Sequence, residues 1–292
     1  MTPVTEHSKR IKAFRRELIA AVPRFPNDKA SLNAMESQTL TDLLVTYIGW
    51  RLRFVAARPR KVTGHSGIAG DPRATALKPN IDVFLNVVDA GGDLTPYLSL
   101  DPISHGYTPA ADTRTPGAQT WADKDFILNV MGLHHFHLGL TMEAKGHAVR
   151  TNEVLFASVT RSEFEILGLF DHAAFEYEGD RTMTPERTKL WQAYEARQAA
   201  GVLPGQFVTG GFGDRGIALG SQPVAVVLAA QRHVRILRRV DPQLDDPDYV
   251  TTLYPSGSAP AKPKLKWWYR HLDIGLLDES ANFFGAFEQG PN

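Results

Sequence analysis

The 292-residue chain contains no cysteine. That excludes disulfides, zinc–thiolate and iron–sulfur sites, and a cysteine nucleophile. A net charge is missing as well, with 32 Lys/Arg against 32 Asp/Glu. No global field therefore draws the molecule toward nucleic acid. No run reaches the ~20 apolar residues that a membrane-spanning helix needs. The leading stretch MTPVTEHSKRIKAFRREL lacks the apolar core of a signal peptide. A cytoplasmic protein with no membrane partner is the expectation. No G-x-S-x-G marks an α/β-hydrolase nucleophile. Residues 210–216 are rich in glycine but lack the Lys-Ser/Thr of a P-loop and the spacing of a dinucleotide fingerprint. They read as a glycine-rich hairpin.

What is present is an ordinary globular composition, 43% hydrophobic and 22% charged, enough for a real core. Charge is unevenly placed. Residues 1–63 hold 12 Lys/Arg and 5 Asp/Glu. A basic front on a neutral protein suits a phosphate backbone, and equally suits packing against an acidic remainder.

Periodicity supplies the elements. Ile11, Phe14, Leu18 and Val22 recur at helical spacing and predict a helix over 8–22, closed by Pro23 and Pro26. Leu40, Leu43, Leu44, Tyr47, Ile48, Leu52 and Val55 predict a second helix over 40–57, opened by Thr39 with Asp42 in a capping-box arrangement. Its C-terminal half carries Arg51, Arg53, Arg58, Arg60 and Lys61 beside Trp50 and Phe54. These cations suit an RNA backbone, and they also suit the negative end of a helix dipole. A short helix follows over 81–88, and residues 90–122 read as a long irregular segment. Short β-branched and aromatic stretches at 133–140, 152–159 and 163–170 read as strands, the last two as a hairpin. Thr184-Pro185-Glu186 opens a helix to about residue 200. Residues 204–221 allow two short strands, and a further helix covers 224–240. Residues 241–248 read as a solvated acidic loop, and the aromatic tail from Leu265 as docked on the body, although Trp267, Trp268 and Tyr269 also have the faces to stack bases. The fold class is therefore α+β. A helical, basic N-terminal region (1–125) precedes a His-rich antiparallel sheet with its following helix (126–200) and a mixed α/β C-terminal region (201–292).

The stretch Gly132-Leu133-His134-His135-Phe136-His137 carries the chemistry. On a strand, His135 and His137 share one face and His134 and Phe136 the other. Downstream lie Lys145, Arg150, Glu153, Asp171 and His172. One reading is a metal site for zinc or manganese, with His135 and His137 as ligands and His172, Asp171 or Glu153 completing it. A second is metal-free cleavage of RNA through its own 2′-hydroxyl. That reaction needs a base, an acid and a fixed cation. Histidine fills either proton role near neutral pH, and arginine supplies a planar phosphate-binding fork. A third is that the histidines only pack.

The pattern resembles the RelE/YoeB group of toxin ribonucleases. Those proteins place helices before a small antiparallel sheet whose strands carry a histidine or basic residue, an arginine opening a strand, and a His or Tyr closing the last strand. His137, Arg150 in VRTNEVLFASV and His172 in FEILGLFDHAAF match those positions, and Glu153 resembles the occasional catalytic glutamate. The resemblance covers residues 130–176. It implies a metal-independent endoribonuclease acting as a toxin or phage-defence effector. In that enzyme His137, assisted by His135, is the base, Arg150 the phosphorane-stabilising cation and His172 the acid. Arg51, Arg53, Arg58, Arg60, Lys61 and Lys145 would hold RNA. It also implies a protein antitoxin or regulatory partner. A non-enzymatic interaction protein is the remaining alternative.

Overall fold

The computed structural model describes residues 8–99, 105–109, 127–179, 182–200, 223–255 and 258–290. The expectations for 204–221, including the glycine-rich hairpin, and for most of 90–122 lie outside them. In chain order the helices are α1 (Lys9–Ala21), α2 (Lys29–Glu36), α3 (Leu40–Arg51), α4 (Pro72–Ala76), α5 (Lys78–Ala90), α6 (Pro185–Ala199), α7 (Val224–Val240) and α8 (Pro247–Thr252). The strands are β1 (Lys61–Thr63), β2 (Leu133–His137), β3 (Glu153–Val159), β4 (Glu163–Asp171), the ribbon β5 (Tyr177–Glu178) and β6 (Thr182–Met183), and β7 (Lys266–Arg270), β8 (Asp273–Asp278) and β9 (Phe283–Glu288). The class is α+β, as the periodicities imply.

The chain divides into two compact units. The first is drawn from residues 1–52, 103–110 and 225–291. Its helices begin where side chains satisfy free backbone N–H groups. Ser8 caps α1 through Ile11 N, and Thr39 caps α3 through Asp42 N at 3.1 Å while donating to the Asp42 carboxylate at 2.6 Å. Their apolar stripes, with α7, bury Phe14, Leu18, Leu44, Ile48, Ala230 and Leu237 in one core. The antiparallel sheet β7-β8-β9 closes it with Trp267, Ile274 and Leu276. The tail therefore builds a sheet of its own. Asp241, expected in a solvated loop, is instead 2% exposed and accepts from Arg10 Nε at 3.1 Å and Trp267 Nε1 at 2.8 Å.

The second unit is drawn from residues 53–102 and 111–224, with residue 292. Its sheet runs β1-β4-β3-β2. The β2–β3 and β3–β4 pairs are antiparallel, but β1 adds to β4 in parallel. The sheet is thus mixed, not purely antiparallel, and its parallel edge comes from residues beside the basic cluster. A bulge after Phe156 leaves Leu167 out of the β3–β4 register. That extra residue lets Leu155, Ala157, Phe164, Ile166 and Leu169 face one core, with Phe84 and Phe136, while Val154, Phe156, Leu167 and Phe170 face another with Phe175 and Leu190. Gly64 (φ +74°) lies where a Cβ would meet Ile166 O at 2.2 Å, so only glycine allows that approach to the bulged strand.

Helix α3 stops at Arg51, short of the expected residue 57. Leu52 closes the first unit and Arg53 opens the second, whose core takes Val55. The apolar repeat ran on because two cores in succession use it.

Candidate functional site

Alternation on β2 sets the site. Register pairs His135 with Phe156 and His137 with Val154, so both histidines share the sheet face that carries the Phe156–Phe175 core. His135 lies with its ring centroid 4.8 Å from Phe175 and 5.9 Å from Phe156. The opposite face carries His134 and Phe136, the latter 5.1 Å from Phe84 and 5.3 Å from Phe164. The rings of His135 and His137 stand 6.2 Å apart and nearly perpendicular. His137 is buried and His135 half-buried.

His172 joins them from β4. Asp171 ends that strand and caps the 3-10 turn His172–Phe175, its Oδ1 accepting from Ala173 N at 2.8 Å. The His172 ring then lies 5.7 Å from the His137 ring at an interplanar angle of 24°. Its Nδ1 is 2.8 Å from the Asn152 carbonyl oxygen. A carbonyl only accepts, so Nδ1 carries the proton. Nε2 is then the atom left to exchange one. The three histidines singled out in the sequence therefore converge, although His172 is 35 and 37 residues from the other two.

A polar layer at the start of α6 supports the turn. Thr184 Oγ1 donates to Ala173 O at 2.6 Å and accepts from Arg187 N at 3.1 Å. Arg187 is fully buried. Its guanidinium carbon sits 3.8 Å from the Tyr177 ring centroid, and Nη2 donates to the Tyr177 hydroxyl at 2.8 Å. Arg73 bridges Asp71, Glu186 and the Leu169 carbonyl, tying α6 to β4, and its hydrogen bond holds the Asp71 carboxyl below its usual range. Asn152, Tyr177, Thr184 and Arg187 were not among the site residues expected from sequence. The cap Thr184-Pro185-Glu186 was visible there, but no residue type announces that a backbone carbonyl orients a histidine or that a helix-start arginine is buried.

The other expected residues are placed differently. Arg150 and Lys145 are exposed on the β2–β3 connection, Arg150 two positions before the carbonyl that holds His172. That connection is tight. A Cβ on Gly139 would fall 2.1 Å from Val149 O, and Leu138 N donates to Thr151 Oγ1. Glu153 pairs with Asp171 and, by register, lies on the sheet face away from His135 and His137. It is not part of their cluster. In the basic stretch, Arg51, Arg53 and Arg58 are half-buried and Lys61 is exposed on β1. Arg60 corrects the expectation of an RNA-holding cation. It is 2% exposed and donates to the carbonyls of Thr160 (2.7 Å), Ala56 (2.8 Å) and Arg58 (3.2 Å). Burial, with Arg58 and Arg161 nearby, lowers it to about 10. It ties the segment before β1 to the β3–β4 turn and cannot reach a phosphate.

Among the described residues no group of three His, Asp or Glu side chains is arranged to hold a metal ion. Nor is any described helix long and apolar enough to cross a membrane. No family model, curated protein or solved structure matches the chain.

Proposed function

We propose that the chain is an endoribonuclease that uses histidine acid–base chemistry without a metal. The observation that carries this reading is the His137–His172 pair, near-parallel and 5.7 Å apart, with Nε2 of His172 made the exchangeable atom by the Asn152 carbonyl. A transesterification needs one neutral imidazole and one imidazolium. His137, with His135 at its side, takes the proton of the 2′-hydroxyl. The 2′-oxygen attacks phosphorus, and the bond from phosphorus to the 5′-oxygen breaks. His172 gives the leaving 5′-oxygen its proton through Nε2. The products are a 2′,3′-cyclic phosphate and a 5′-hydroxyl, and Arg150 neutralises charge on the equatorial oxygens. The same chemistry underlies the resemblance to RelE/YoeB toxins, which supports an effector role in the cytoplasm held in check by a protein antitoxin.

The test uses end-labelled RNA in excess EDTA with wild type, His137→Ala and His172→Ala. Wild type should cleave to cyclic-phosphate ends, and each variant should lose about 10²–10⁴-fold in rate, the usual worth of a general acid or base. Activity absent in EDTA but restored by zinc or manganese would instead make His135, His137 and His172 ligands. No cleavage under any condition would overturn the reading.

A further inference from the structure

We propose that the outward face of the β7-β8-β9 sheet binds single-stranded nucleic acid. Alternation divides β7 cleanly. Trp267 and Tyr269 point into the core, 1% and 6% exposed, while Lys266, Trp268 and Arg270 point outward. Register places the small residues Gly275 and Ala286 beside Trp268, and Leu277 and Phe284 beside Lys266. The indole of Trp268 is among the exposed large apolar side chains. The Phe284 ring fills the space above Gly275, where a Cβ would meet it at 2.7 Å. The Arg270 guanidinium carbon lies 4.3 Å from the centroid of that ring.

The charges point to the occupant. Lys262 and Lys264 are exposed in the segment leading into β7, just before Lys266, Trp268 and Arg270. Within β7, Lys266, Trp268 and Arg270 recur every ~7 Å on one side. Carboxylates also stand near the cations: Asp273 is the cross-strand partner of Arg270, and Asp278 accepts from the backbone N–H of Lys264. Glu279 is 2.8 Å from Lys266 Nζ and Glu17 is 3.9 Å from it, and that ammonium also lies 4.8 Å from the Trp268 ring. Among the described residues, the side chains of Lys262, Lys264 and Arg270 make no ion pair. Alternating cations and flat π-surfaces fit a strand whose phosphates and unpaired bases alternate in the same way. An apolar peptide would leave the cations unmatched. A duplex hides the base faces that Trp268 and Arg270 would stack on. The platform is argued from this face alone, and it leans on the ribonuclease reading only in favouring RNA as the natural strand.

The test uses the full chain carrying His172→Ala, so that RNA survives the measurement. Fluorescein-labelled U-rich RNA and dT oligonucleotides are titrated by anisotropy at several salt concentrations. Trp268→Ala should weaken binding about tenfold, and Trp268→Phe should keep most of it. Arg270→Gln should lower the slope of log affinity against log salt by about 0.7, the value for one phosphate contact on a single strand. Trp268 is at the surface, so circular dichroism should be unchanged. Equal affinity in wild type and Trp268→Ala would overturn the proposal, as would Trp268-dependent binding of polyglutamate in preference to the oligonucleotides. The two readings fail separately. No cleavage by wild type with Trp268-dependent binding intact removes the ribonuclease and upholds the platform. Cleavage that depends on His172 with binding indifferent to Trp268 removes the platform and leaves the ribonuclease.

Discussion

His233 sits in the first unit's core, 1% exposed, with Nδ1 2.7 Å from the Tyr269 hydroxyl. Tyr269 in turn stacks on Tyr47 at 4.9 Å. Burial dominates the titration of His233 and lowers it to about 4, with Glu288 and Asp273 opposing and Arg232 reinforcing the shift. The folded value lies below the ordinary 6.5, so between the two the unfolded chain binds more protons. Stability is therefore complete above pH 6.5 and falls as pH drops toward 4. The linkage amounts to about 2 kcal/mol at pH 5 and about 3 kcal/mol once both states are protonated. Urea denaturation at pH 7.5 and 5.0 should show this loss in wild type and a much smaller one in His233→Gln. Equal losses in both proteins would place the acid sensitivity elsewhere. Asp278 also loses stability as pH falls, but at lower pH. Burial alone would raise its carboxyl, but hydrogen bonds from Ser280, Tyr254 and the backbone of Lys264 and Ala281 outweigh it and hold it far below the usual range. It stays ionised through the window in which His233 takes up its proton, so the two effects separate by pH.

Among the elements, the start of α6 matters most to the candidate site, because one hydroxyl both caps the helix and holds the turn that carries His172. Thr184→Ala removes the bond to Ala173 O and the cap on Arg187 N together. A lost N-cap costs about 1 kcal/mol. If the turn positions His172, kcat for RNA cleavage should fall severalfold while KM moves little, and Thr184→Ser should restore it. A fall in stability with kcat unchanged would limit Thr184 to capping. Much of this architecture is legible in the chain. Caps and 3.6-residue spacing announce α1, α6, α7 and the start of α3, and alternation announces β2, β3 and β4 and sets His135 beside His137. His172 follows from the hairpin register. Other parts leave no local trace. Strand β1 is three residues long, and its partner lies about 100 residues away, at Glu163–Glu165. Helix α2 buries only Ser31 and Met35, too few positions to show a period. Arg60 and Arg187 look like any surface arginine until their burial is known.

At the scale of the whole molecule, the described buried apolar residues of the first unit form one core and those of the second form two. The first is assembled from the two ends of the chain. Arg10 meets Asp241 across 231 positions, and Trp267 donates to the same carboxylate. Most of the second unit lies within that loop. Closing a loop costs entropy that grows slowly with its length, and a folded second unit shortens the free chain to be closed. The second unit has no such dependence on the chain ends. A disturbance of the first core should therefore stay local. Leu44 and Phe164 are both 0% exposed, one in each unit. Leu44→Ala should destabilise by about 2–5 kcal/mol and Phe164→Ala by about 3–5 kcal/mol. Hydrogen exchange read by mass spectrometry can tell the units apart. Leu44→Ala should speed exchange in α7 and β7–β8 and leave β3–β4 protected. Phe164→Ala should open β3–β4 and, by lengthening the loop, loosen α1 and α7 to a smaller degree. Equal acceleration of all four segments by Leu44→Ala would mean that the molecule opens as one cooperative block, and the division into two units would then carry no energetic meaning.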